Sequence, residues 1–167
     1  MKCFTFVALL LLLCVSPASA SEHQCTNLES GAAVFVTGYL DSWKNMHLAY
    51  KQFRHCDEGG PAEGFSEADA RLMADHWVDL PQALPIIDAD PDFEKWVIRH
   101  LDETDDYKDL WKIDHLSQTA CPVQVKAFCR KIHTQIQSLD SDYLRCIRAE
   151  DGAVSKGKHA DPSCLIP

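Results

Sequence analysis

No apolar run in this 167-residue sequence reaches the roughly 20 residues that a helix needs to cross a bilayer; the longest, Phe4 to Val15, is too short. Basic residues are also scarce. Sixteen Lys and Arg stand against 25 Asp and Glu, for a net charge of −9. Such a balance repels phosphate backbones and anionic headgroups, so nucleic acid is not an expected ligand. No two cysteines stand two to four residues apart, the spacing of structural zinc sites. No two of the eight histidines (His23, His47, His55, His76, His100, His115, His133, His159) stand four apart on a helix, so the grip of a His-Glu-x-x-His metal site is missing.

Two near-motifs fail for stated reasons. Gly64-Phe65-Ser66-Glu67-Ala68 approaches the Gly-x-Ser-x-Gly nucleophile turn, but it ends in alanine and follows no strand, so Ser66 reads as a helix cap. Asp88, Asp90, Asp92 and Glu94 alternate like a calcium loop, yet its sixth place is Phe93 and its twelfth is Arg99, where glycine and glutamate belong. No metal, cofactor or catalytic residue is therefore expected. A carboxylate acid/base pair leaves no spacing signature, and a hydrolase of that kind stays open as an alternative.

What is present begins with eight cysteines. Met1-Lys2, the apolar run and Ala18-Ser19-Ala20 have the form of an export signal cleaved before Ser21, which leaves about 147 residues as a single domain. Cys3 and Cys14 would leave with it. Cys25, Cys56, Cys121, Cys129, Cys146 and Cys164 then form an even set in an oxidising space, secreted or periplasmic, and read as structural disulfides.

The apolar spacing predicts an all-α fold of five or six helices in a disulfide-linked bundle. Ala32, Phe35, Val36, Tyr39, Leu40, Trp43, Met46, Tyr50 and Phe53 suggest one long helix over 30–54, followed by a surface loop from Cys56 to about Phe65. Ser66 with Asp69 would cap a second helix running to Pro81, and the segment 81–89 would be an inward-packing connector. Asp90-Pro91 starts a third helix and Thr104 caps a fourth, ending near Thr119. The last segment runs from Pro122 to Ala149, unbroken or split at Ser138–Ser141, and 151–167 is a tail tethered by Cys164. His76 and His100 fall on apolar faces beside Trp77 and Trp96 and read as core histidines.

Sequence leaves the cysteine pairing open among fifteen possibilities. If Cys121 and Cys129 share one helix they lie about 12 Å apart along its axis, beyond the roughly 7 Å that a bridge spans. A Cys146–Cys164 bridge would pin a tail with little apolar surface of its own and is favoured, with Cys56 bridged to Cys121 or Cys129 and Cys25 taking the other.

The elements Cys56-Asp57-Glu58-Gly59, Ala62-Glu63-Gly64-Phe65-Ser66, Trp77, Asp102-Glu103-Thr104 and Cys121-Pro122 resemble a pattern in small uncharacterised exported bacterial proteins. In size, helicity, acidity and disulfides the chain is similar to periplasmic immunity and inhibitor proteins. That resemblance implies a non-enzymatic binder whose partner is a protein, such as a basic secreted enzyme or toxin. The expected contact surface is acidic: Asp57, Glu58, Gly59, Gly60 and Glu63, or the cluster Asp102, Glu103, Asp105, Asp106 and Asp109. The alternative is a carrier of a small apolar ligand, with Trp43, Trp77, Trp96 and Trp111 lining a cavity.

Overall fold

The computed structural model describes residues 24–154, which fold into eight α-helices joined by short links and 3-10 turns, with no strand among the described residues. The all-α, disulfide-linked architecture expected from the sequence is present. Helix α1 (Asn27–Thr37) opens with a capping box, in which Thr26 accepts from the Glu29 backbone and the Glu29 carboxylate accepts from the Thr26 backbone. Helix α2 (Trp43–Phe53) starts at Ser42, whose side chain accepts from Asn45 N.

The single helix expected over 30–54 is thus two. Ala33, Leu40, Trp43, Met46, Tyr50 and Phe53 are all buried, so the apolar period runs in phase across the break at Gly38–Ser42 and conceals it. The break also turns Phe35 and Tyr39 outward, to 69% and 65% exposure, although their spacing had put them on the inner face.

A 3-10 turn (Arg54–Cys56) follows α2, and α3 (Gly60–Asp75) begins almost at once, in place of the expected loop. Gly59, at φ 57°, takes the left-handed conformation that glycine tolerates, and Pro61 lies in the first turn where its missing N–H costs nothing. Ser66 and Asp69 are therefore buried inside α3 and cap nothing. After a 3-10 turn (Trp77–Ala83) come α4 (Leu84–Ala89) and α5 (Pro91–Arg99). Asp90 caps α5 as expected, accepting from Phe93 N, and it also meets His47 and Lys51 of α2 at 3.0 and 3.6 Å, so one carboxylate joins two helices.

Helix α6 (Tyr107–Thr119) is capped by Asp106, not Thr104, whose hydroxyl bonds to Asp102 within the preceding turn. The last segment is split: α7 (Lys126–Gln137) and α8 (Ser141–Val154) meet at Ser138–Asp140, and α8 passes the boundary expected at 150. Helix α6 packs against α3, α7 and α8, while α1 lies on α3. Trp43 and Phe128, with ring centroids 6.2 Å apart, tie α2 to α7. Tyr50, Phe93, Trp96 and Phe65 form a second aromatic group with neighbouring centroids 5.1–6.0 Å apart.

The disulfides differ from the expected pairing. Cys25 joins Cys56, fastening the strand of chain before α1 to the turn after α2, with Cα atoms 4.9 Å apart. Cys121 joins Cys129 across 6.2 Å. The helical rise that excluded this pair does not apply, because Pro122 is extended, Val123–Val125 is a 3-10 turn and α7 starts only at Lys126, so the chain doubles back. Each such bridge contributes about 2–4 kcal/mol by restricting the unfolded chain. Cys146 is also disulfide-bonded; Cys164, its expected partner, lies outside the described residues, as do the expected export signal and most of the expected tail.

The contact between α1 and α3 depends on a missing side chain. A Cβ built on Gly64 would stand 2.8 Å from Thr37 Oγ1. Gly64→Ala is expected to cost about 1–3 kcal/mol by overpacking, and Thr37→Ala in that background should recover most of the loss. Urea unfolding of both variants checks this; an unchanged midpoint for Gly64→Ala would mean that the helices separate freely.

Candidate binding cleft

A cleft of about 1270 Å³ opens where the chain before α1 meets α2 and α5. Tyr50 and Lys51 enter it from α2, Arg54 and His55 from the following turn, and Asp92, Lys95, Trp96 and Arg99 from α5. The bonded Cys25 forms part of its wall, with Asp57 and Glu58 at its edge. Four permanent cations thus face one opening in a chain that is acidic as a whole.

Those cations are not equally engaged. Arg99 pairs with Asp57, Lys95 with Asp92 at 2.8 Å, and Lys51 loosely with Asp90 at 3.6 Å. Arg54 has no carboxylate at ion-pair distance among the described residues, although the charges of Asp90 and Asp92 reach it: its guanidinium bonds to the Tyr50 hydroxyl at 3.2 Å and lies over that ring, 5.5 Å from the centroid. The planar guanidinium retains N–H donors directed at solvent within the cleft.

Asp57 was expected in an exposed acidic loop, but its side chain is only 8% exposed. One oxygen accepts the Trp96 indole N–H at 2.7 Å and the Arg99 guanidinium. The other stands 3.0 Å from His100 Nε2, close enough for charge attraction though too poorly angled for a hydrogen bond. Burial opposes the charge of Asp57, but contact with His100, the Trp96 N–H and the Arg99 charge outweigh it and hold the carboxyl below its ordinary value.

Behind Asp57 the polar chain continues inward. His100 Nδ1 is 2.8 Å from Ser66 Oγ, and Ser66 donates to Asp102 Oδ2 at 3.2 Å. The hydroxyl thus bridges the imidazole and the Asp102 carboxylate. Ser66 is 1% and His100 3% exposed, so this Ser, His and Asp set is closed to any substrate and serves as an internal tie. It also joins the two acidic regions that sequence treated as separate surfaces.

The remaining expected contact residues divide by exposure. Glu58, Glu63, Glu103 and Asp106 are exposed; Gly59 and Gly60 are exposed at the start of α3. Asp102 is half-buried, Asp109 partly buried, and Asp105 is 3% exposed, so it cannot belong to a contact surface. His76 is exposed, contrary to expectation, whereas His100 is buried. The four tryptophans share no cavity: Trp43 packs on Phe128, Trp77 donates to Ala120 O, Trp96 walls the cleft, and Trp111 stacks on His115.

A further buried node escaped the sequence reading. Asp114 of α6 meets His133 Nδ1 at 2.6 Å and accepts from Gln118 and Gln137. The helical spacing of Asp114 and Gln118 was its only visible signal. Glu29, His55 and Cys56 bring potential ligand atoms within 4.8 Å of one another, but the sulfur of Cys56 is committed to Cys25 and supplies no thiolate. No helix among the described residues is long and apolar enough to cross a membrane.

Neither a family model, a curated protein nor a solved structure matches the chain.

Asp57→Asn is expected to lower stability at pH 7 by about 2–3 kcal/mol, because it leaves Arg99 and His100 facing an uncharged group. The folded value of Asp57 is depressed, so its contribution is present above the unfolded value of 3.8 and is lost as pH falls through the folded value. The variant should consequently lose part of the acid sensitivity of the wild type below pH 4. Chemical denaturation at pH 7 and pH 3 measures both effects, and equal midpoints for the two proteins at pH 7 would remove Asp57 from the structural core.

Proposed function

We propose that this chain is an exported, non-enzymatic binding protein of the inhibitor or immunity type, engaging a protein partner through the charged cleft beside the Cys25–Cys56 bridge. The observation that carries this reading is the unpaired guanidinium of Arg54, held over Tyr50 in an open cleft with Lys51 and Lys95 nearby. A guanidinium fork fits a carboxylate with two parallel hydrogen bonds. Binding would replace water on Arg54 with such a carboxylate on the partner, while the buried Tyr50 ring beneath holds the guanidinium in place.

Export to an oxidising space accords with the leader-like start and with the disulfides. The bridge and the Asp57 contacts hold the cleft walls together before a partner arrives, which reduces the ordering cost of association. Exposed Glu58 stands at the opening and favours a partner whose carboxylate is surrounded by basic groups, as on a basic enzyme or toxin.

The test uses immobilised protein to capture its partner from the native exported fraction. Arg54→Glu/Lys95→Glu should abolish capture while shifting stability by no more than about 0.5 kcal/mol, because both side chains are exposed. Equal capture by the double variant would remove the cleft from the proposal. Quenching of tryptophan fluorescence by fatty acids, with no protein captured, would favour the carrier instead.

A further inference from the structure

The turn between α5 and α6, the most acidic stretch of the chain, is also where α8 docks. Glu103 accepts the backbone N–H of Asp140 at 2.9 Å, just before α8, and the Tyr143 hydroxyl of α8 donates to the carbonyl oxygen of Asp105. Leu144 and Ile147 of the same helix are buried in the core.

Beneath these contacts lie two enclosed carboxyl groups. Asp69 of α3 has no exposed surface, and neither of its oxygens has a hydrogen-bond partner among the described residues. Asp105 is 3% exposed; one oxygen accepts Asp102 N at 3.2 Å, and the other has no partner.

The titratable groups acting on this pair are all acids. Glu67 comes from α3, Asp102 from the turn and Asp109 from α6, while the phenol of Tyr143 faces Asp105 from α8. Arg71 and Lys112 act on Asp109, one layer further out. No third His, Cys, Asp or Glu among the described residues closes on the pair to complete a metal site. Two enclosed carboxylates with no cation beside them, and only the Asp102 N–H as a donor between them, cannot both stay charged in such surroundings, and a proton is the remaining means of neutralising them.

We propose that Asp69 and Asp105 form a proton-operated lock on α8: with both carboxyls protonated the 102–106 turn packs and holds the helix, and loss of a proton as the medium turns alkaline loosens the turn and releases it. Burial, opposed by the Asp102 backbone N–H and reinforced by the charges of Asp102, Asp109 and Glu67, pushes Asp105 up to about 8. Burial and then Asp105 push Asp69 well above its ordinary value. For a carboxyl raised in the folded state, the stabilising proton is fully effective below the unfolded value of 3.8, and its benefit declines as pH rises towards the folded value.

Hydrogen exchange of the full chain, corrected for the base dependence of intrinsic exchange, tests the lock. From pH 5 to pH 8 the protection of amides in Ser141–Val154 should fall about tenfold per pH unit for one linked proton, then level off, while amides of α3 away from residue 69 keep theirs. Asp105→Asn should flatten this slope, as should Asp69→Asn. If neither variant folds, the wild-type profile decides alone. A flat α8 profile, an equal loss in α3 and α8, or an unchanged slope in a folded variant would overturn the proposal. So would restored protection at pH 8 with a few millimolar calcium chloride, since an ion would then be doing the work assigned to the proton.

Discussion

The placement of one carboxylate, Asp57, organises the rest of the molecule. It sits between the turn that ends α2 and the start of α3, and it reaches Trp96, Arg99 and His100 on and just after α5. Through His100 and Ser66 the tie continues to Asp102, so the turn before α3, α3 itself and the end of α5 share one polar line through an aromatic interior. A buried charge of this kind is tolerated only when its partners are held in position. The Cys25–Cys56 bridge, one residue away from Asp57, supplies part of that constraint.

This arrangement changes the meaning of the acidity. The net charge of −9 suggested an acidic face presented to a basic partner, but Asp57, Asp69, Asp105 and Asp114 are turned inward, each with a different means of tolerating burial. Asp57 and Asp114 have polar or charged contacts, whereas Asp69 and Asp105 have none for at least one oxygen. With Asp57 turned inward beside α2 and α5, the cations of the cleft are the more conspicuous feature there. Among the described residues Arg54 is the cleft cation with no carboxylate at ion-pair distance, its guanidinium bonded to the Tyr50 phenol.

The legibility of individual elements depended on whether their signals were local. Asp90-Pro91 announced α5, because an N-cap and a first-turn proline act within three residues. The end of α6 at Thr119 and the split at Ser138–Ser141 were readable for similar reasons. Gly38 and Ser42 also mark a break, but the apolar period continued through them and carried the stronger signal. Ser66 illustrates the opposite error: a hydroxyl with Asp69 three residues on has the composition of a cap, and only the buried His100 and Asp102 around it reveal its role. The bridge between Cys121 and Cys129 was misjudged because the spacing argument assumed one straight helix, where the extended Pro122 and a 3-10 turn change the chain's direction before α7.

Sequence by itself determined the helical class, the start of α5, the use of cysteine for disulfides and the absence of a spaced metal or nucleophile motif, because propensity, capping and periodicity act over a few neighbouring residues. The tertiary structure alone decided which acids are surface and which are core, which cysteines meet, and that residues 43 positions apart, Asp57 and His100, lie side by side. Those outcomes depend on how helices pack, and packing is settled by distances between residues remote in the chain, which no local pattern records.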